Sequence, residues 1–406
     1  MDKLDKRTFA TLVFSVFATV TGVGIVVPLL PIYAHGLGAS GFYIAVIFGA
    51  FSLSRTFFLP FFGRLSDRKG RRPIIISGLL GYALISVGFV YSTDVTSLII
   101  IRFFHGVASA MLMPVILAYV GDIAPLGREG RIMGLYSTFV LFGLSLGPLI
   151  GGLVNDNFGL RAAFVCMGML AFLGFAMCLL MLPPTRSESI VRTHKELVSW
   201  RRLVNDRALA GLLIFRFAYL VCIGIIWGFL PLYAALKLPL SSSSIGLLIT
   251  VGILASGMMN APMGVLADRI NKKMMVVIGG LIVAYAIFSF EWATSYRDMV
   301  LASISFGIGG GICMPALSAM ATRKGNKSDA MGSVMGLMTV AHSLGMLTGA
   351  LLGGIMMDLF QLRYAFAGGA IVMITGTVLF LTCAYHPKET AVVPEFMHES
   401  DYTPAA

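Results

Sequence analysis

The stretch GRLSDRKGRRP, residues 63–73, carries five basic side chains and one aspartate in eleven positions. It returns in part 201 residues later as GVLADRINKK, residues 264–273, with Gly-x-Leu-x-Asp-Arg in the same order. Around both copies the chain is oily: 57% of its 406 residues are hydrophobic and 12% charged, where a soluble domain carries about 25% charged residues. Mean hydropathy is +0.89. On either side of each charged knot lie apolar runs of about twenty residues, the length that crosses a ~30 Å hydrocarbon layer as a helix. A charged connection met twice in a membrane-spanning chain points to a doubled unit.

Twelve spans are expected, near 8–34, 42–63, 73–91, 96–120, 131–153, 160–182, 208–235, 243–265, 273–291, 297–320, 330–354 and 363–385. The first reads as a span and not as a cleaved leader, because a second membrane segment follows at once. With the amino terminus inside, the loops on its side hold 23 of the 30 Lys and Arg, and the opposite loops hold four: Arg161, Lys237, Arg297 and Arg363. That asymmetry places both termini in the cytoplasm. The net charge of +11 therefore sets topology and gives no reason to expect a nucleic-acid partner. Five cysteines (166, 178, 222, 313 and 383) all fall inside spans without C-x-x-C spacing, so they read as packing residues and not as a metal site.

The second half repeats the first at an offset of 200–202. PIYA at 31–34 answers PLYA at 231–234, and Met113-Pro114 answers Met314-Pro315. Gly143, Gly147, Gly151 and Gly152 answer Gly345, Gly349, Gly353 and Gly354. Asp156-x-Phe-x-Leu-Arg-x-Ala-Phe164 answers Asp358-x-Phe-x-Leu-Arg-x-Ala-Phe366. The expected organisation is a bundle over 1–182, a polar cytoplasmic linker over 183–207, a second bundle over 208–385 and a tail over 386–406. The fold class is thus all-α polytopic, twelve transmembrane helices in two pseudo-symmetric six-helix bundles.

This arrangement resembles the major facilitator superfamily, over the whole chain to about residue 385. The connection after the second span matches that family's G-x-L-x-D-R-x-G-R-[RK] with Gly63, Leu65, Asp67, Arg68, Gly70, Arg71 and Arg72. The resemblance implies a latch in which Asp67 holds the cytoplasmic ends of the bundles together, helped by the positive end of a helix starting near 330. It also implies an Arg71–Asp122 pair. Gly63 is expected to admit a neighbouring helix and Gly70 a tight reversal. The second copy has Ile270-Asn271 where the later glycine stood, and Asp268 is its candidate latch residue.

GLSLGPLIGG, residues 143–152, resembles the antiporter signature of the drug:proton exporter branch, through Gly143, Gly147, Pro148, Gly151 and Gly152. Spacing of i, i+4, i+8 puts the glycines on one helix face, where helices approach closely in lipid, and Pro148 is expected to kink it. The same stretch fits G-x-S-x-G, but a nucleophile elbow needs a strand-to-helix turn, so Ser145 is not read as catalytic. No enzyme constellation stands in the loops, and a sensor role finds no signalling domain.

Ionisable residues inside spans are costly and commonly functional. They are Arg55, Arg102, His105, Arg216 and His342. Leu98-x-x-x-Arg102-x-x-x-Gly106 resembles the family's proton-transfer motif, with His105 before the glycine; Arg102, His105 and His342 are the proton-coupling candidates. Arg55 reads as structural. Phe17, Tyr136, Arg216, Tyr219, Trp227 and His342 are the candidate cavity residues. The first span has no acid, which disfavours a permanently cationic substrate and favours an anion or neutral amphiphile. The expected function is proton-coupled export of a small amphiphilic molecule by one chain in a bacterial or archaeal cell membrane, with no cofactor beyond protons. The alternative is uptake or facilitated diffusion of a sugar, organic acid or other metabolite.

Overall fold

The computed structural model describes residues 3–125, 129–183, 206–327 and 330–384. Most of the expected linker over 183–207, the last residue of the expected second bundle and the whole of the expected tail over 386–406 lie outside them. Among the described residues the regular structure is helical. The helices are α1 Lys3–Gly36, α2 Gly41–Lys69, α3 Arg71–Tyr91, α4 Val95–Asp122, α5 Glu129–Phe158 and α6 Leu160–Met181. They continue with α7 Arg207–Lys237, α8 Ser242–Arg269, α9 Lys272–Trp292, α10 Tyr296–Lys327, α11 Met331–Leu359 and α12 Tyr364–Ala384. All twelve are long and apolar enough to cross a bilayer.

Several helices outrun the expected spans. The 29 residues of α2 reach about 43 Å at 1.5 Å per residue, so its last turns stand beyond the hydrocarbon. Asp67 and Arg68 therefore belong to the end of α2 and Arg71 to the start of α3, with Gly70 alone between them. The expected loop is a one-residue corner. Hydropathy marks only the lipid-immersed length of a helix and misses its polar extension.

Many hydroxyls are satisfied within their own helix, as a bilayer favours. On α1 the Thr11, Ser15 and Thr19 hydroxyls each donate to the carbonyl four residues back. Side-chain caps start α4 (Asp94 to Ser97 N–H, 2.8 Å), α7 (Asp206 to Leu209 N–H, 3.0 Å) and α8 (Ser241 to Ser244 N–H, 3.2 Å).

Two apolar cores result. One draws on residues 12–182 plus Phe229, Leu232 and Ala350; the other runs from Leu209 to Phe380. The internal repeat reappears as matched contacts. Phe89 stacks on Phe164 at 5.0 Å, and Phe290 meets Phe366 at 5.4 Å. Tyr33 donates to the Ser92 carbonyl, and Tyr233 donates to that of Glu291.

The two six-helix sets meet along α5–α8 and α2–α11. We call the end holding Asp67 and Asp268 the basic end and the other the far end. From the far end to mid-depth the sets touch: Gly152 packs on Ser242, Gly246 on Pro148, Gly354 on Gly41 and Gly257 on Leu141. Toward the basic end the contact stops. A Cβ placed at Gly63, Gly134, Gly264, Gly332 or Gly336 meets no atom within 4 Å among the described residues. Among the described residues the two sets are joined at the far end and stand apart at these positions of the basic end.

Candidate gating and substrate site

At the basic end Arg71 organises the corner. Its Nε donates to Asp122 at 2.7 Å, and its Nη1 donates to Asp67 at 2.8 Å and to Ser66 Oγ at 3.2 Å. A planar guanidinium presents donors in a fork that a lysine lacks, so one side chain joins the ends of α2 and α4. Gly70 has φ +88°, a conformation natural to glycine, and this reverses the chain. Arg72 donates to the Leu179 carbonyl at 2.8 Å, placing a cation at the carboxyl end of α6. That contact was not expected from the sequence. In the second copy the corner has no positive φ; Asp268 lies 4.0 Å from Lys272 and its side chain is 81% exposed.

At Gly63 an added Cβ would meet no atom within 4 Å among the described residues, so the close helix approach expected there is not made in this arrangement. The two sets are apart at that depth, so whatever closeness Gly63 permits belongs to another arrangement of the molecule.

The glycine stripe of α5 packs on α1. A Cβ at Gly147 would lie 2.6 Å from Gly24 Cα, and one at Gly151 would lie 2.9 Å from Ile25 Cα. On α11 the stripe packs likewise on α7, where a Cβ at Gly345 would lie 2.6 Å from the Phe217 oxygen. Gly152 and Gly354 instead face the opposite set. Ser145 donates to Leu141 O within its own helix, while Thr250 of α8 donates to Ser145 O at 2.7 Å.

Just beyond these glycines stands a pair of clasps that the sequence reading did not assign. Asp156 at the end of α5 accepts from the N–H groups of Ser242 and Ser243 at 2.9 and 2.8 Å. Asp358 at the end of α11 accepts from those of Gly41 and Phe42 at 2.6 and 2.8 Å. Each carboxylate thus caps the first turn of a helix in the other set, where free N–H groups and the helix dipole favour an anion. Asn155 adds a bond to Ser242 Oγ at 2.7 Å. The duplicated Asp-x-Phe-x-Leu-Arg-x-Ala-Phe segment was the available signal.

The buried basic residues separate into two groups. Arg102 Nη1 lies 3.2 Å from His105 Nδ1. Arginine only donates, so the ring proton sits on Nε2, an atom with no hydrogen-bond partner among the described residues. The rings of Phe51, Tyr82 and Phe89 surround His105 at 5.2, 4.7 and 6.0 Å. Arg102 lies over Phe51 and Phe48, 4.3 and 5.2 Å from their centroids. This pair is sealed among α2, α3 and α4. The second group spans the interface: Arg216 of α7 donates to His342 Nδ1 of α11 at 3.3 Å, and Arg55 of α2 is within electrostatic reach of His342 and Tyr136. Nearby, Thr56 bonds Ser343 across the two sets.

A cavity of about 210 Å³ lies among α5, α7, α8 and α10, walled by Leu141, Tyr219, Ile223, Trp227, Ile253 and Phe306 with few polar atoms. Tyr219, stacked on Phe306 at 5.9 Å, and Trp227 are thereby brought to it. Tyr136 is buried near Arg55, and Phe17 stands apart, its carbonyl against Gly143.

Matched helical sets around an interfacial cavity are the architecture of a membrane transporter. The chain belongs to the Major Facilitator Superfamily, whose family model matches residues 12–238 and 212–399. It resembles the multidrug exporter branch. Multidrug resistance protein 2 of Bacillus subtilis is 27% identical, over 95% of this chain and 96% of the relative. An uncharacterised MFS-type transporter of Methanocaldococcus jannaschii is 26% identical, over 94% and 99%. Among solved structures, a bacterial homologue of the human lysosomal transporter Spinster, inward-facing and occupied, has TM-score 0.82 at 13% identity, over 94% of this chain and 97% of that one.

Proposed function

We propose that this integral membrane transporter exports a small amphiphilic organic compound by alternating access, with protons as the coupling ion. The observation that carries the reading is the apolar cavity at the interface, covered toward the far end by the packing of Gly152 on Ser242 and Gly246 on Pro148. Such a cavity takes the apolar body of a ligand, and few polar groups fix it. The multidrug names of relatives support export.

In this reading the basic end faces the cytoplasm, with both termini there, and the cell is bacterial or archaeal. The sets 1–182 and 208–385 rock about the cavity, one chain being sufficient. Closure at the basic end releases the Asp156 and Asp358 clasps and brings Asp67 to the opposite set near the start of α11. Asp268 does the same in the second copy, from a looser corner. Of the proton candidates, His342 stands at the interface, whereas Arg102 and His105 act from inside the first set.

A second reading, uptake or facilitated diffusion of a metabolite, is favoured by one observation. Every carboxylate among the described residues sits at a helix end or in a connection, so no mid-depth acid is at hand to carry a proton. Everted vesicles separate the two. Export predicts proton movement on adding substrate, loss of transport when an uncoupler collapses the gradient, and impaired coupling in His342→Asn. Transport indifferent to the uncoupler establishes the facilitator. Intact coupling in His105→Asn removes His105 as the carrier.

A further inference from the structure

Resting on the transport reading, we infer that the substrate carries an anionic headgroup, held by Arg55, Arg216 and His342 at the basic-end edge of the apolar cavity. Three helices, α2, α7 and α11, bring these groups together. Arg216 Nη2 and His342 Nδ1 are 3.3 Å apart, and both arginines lie within electrostatic reach of the His342 ring. The buried Nε atoms of Arg55 and Arg216 have no hydrogen-bond partner among the described residues.

The cavity and the basic group are continuous along α7. Arg216, Tyr219, Ile223, Ile226 and Leu230 follow at i, i+3, i+7, i+10 and i+14, which is one helix face. The last four line the cavity, and Arg216 occupies the next turn toward the basic end. An apolar pocket with Arg216 one turn beyond it, beside His342, matches an apolar body bearing a carboxylate, sulfonate or phosphate.

Placing basic groups inside a membrane protein without a counter-carboxylate is costly. Arg102 offsets that cost with the faces of Phe48 and Phe51, a cation–π arrangement. Among the described residues no such ring lies over Arg55 or Arg216, whose Nε atoms also have no hydrogen-bond partner there, and a bound anion supplies a partner to both. The His342 Nδ1 acceptor already serves Arg216, and the ring's Nε2–H remains a further donor for the same anion.

The test uses the full-length protein in detergent and a matched trio of probes: naphthylacetate, naphthylacetamide and naphthylethylammonium. Laurate is added to tell a single-chain lipid from a compact solute. Binding is read by tryptophan quenching and thermal shift, so it does not depend on transport. Naphthylacetate or laurate should bind best. Arg55→Gln and Arg216→Gln should each weaken the anion about tenfold, the size of a lost charged hydrogen bond, and leave the amide within about twofold. Arg216→Lys should restore part of the affinity, and circular dichroism of each variant checks folding. Preference for the ammonium probe, or equal loss for acid and amide, would overturn the inference. An anion bound through these residues but not moved in proteoliposomes would instead count against the transport reading and leave the subsite standing.

Discussion

A single arginine carries the corner at the basic end. Arg71 spans Asp67 and Asp122 with donors from one planar group, and Arg71→Lys keeps the charge without the fork. That variant should lower the melting temperature by a few degrees, reflecting about 1–2 kcal/mol for a lost charged hydrogen bond, and should slow transport in vesicles. The family pattern made this pair legible in the sequence. Asp206 was not legible, because its partner Lys324 is 118 residues away. Burial would raise the Asp206 carboxyl, but the Lys324 ammonium and the Leu209 N–H outweigh it and hold the group below its ordinary value. Stability from a depressed carboxyl is present above the unfolded value and lost as pH falls through the folded one. Asp206→Asn should therefore melt earlier than the parent at pH 7, with the gap closing as the pH falls toward 3. A gap independent of pH contradicts the assignment.

At the scale of the helix, the glycine stripes decide which surfaces seal. Gly147 is pressed on Gly24, so Gly147→Val should prevent stable accumulation of the protein in the membrane, as immunoblotting would show. Gly134 lies on the same helix and faces open space; Gly134→Ala should melt within about 0.5 kcal/mol of the parent, as an unconstrained surface change does. The stripe was readable from its four-residue spacing. Its partner helix was not, since spacing gives a face and not its neighbour. The ends of α2, α8 and α10 were misjudged for another reason: apolar composition stops where the lipid stops, while the helix continues into water. The charged corner consequently reads as a loop until the dihedral angle of Gly70 is seen.

The whole molecule is organised by its repeat. The pairing of Asp156 with Asp358 was visible as duplicated sequence, but their use as caps on α8 and α2 depends on how two distant sets dock, which local patterns do not encode. The cavity was only partly foreseen: Tyr219 and Trp227 reach it, whereas Phe17, on the same kind of evidence, does not line it. Because each clasp joins a carboxylate to two N–H groups, Asp156→Asn with Asp358→Asn should shift the balance away from far-end closure by roughly tenfold, following about 1–2 kcal/mol of charge–dipole stabilisation. Cysteine labelling from the far end should rise at Ile253→Cys in the cavity wall. Unchanged labelling would show that the clasps do not hold the closure.

The central claim is reciprocal closure of two matched helical sets about one cavity. Pulsed EPR on two label pairs tests it most directly in a cysteine-free background. Lys69→Cys with Lys273→Cys reports the basic end, and Tyr91→Cys with Trp292→Cys reports the far end. On adding substrate or changing pH, a shorter basic-end distance should appear together with a longer far-end distance, in equal fractions. Distances that stay fixed, or that lengthen at both ends together, would contradict the account.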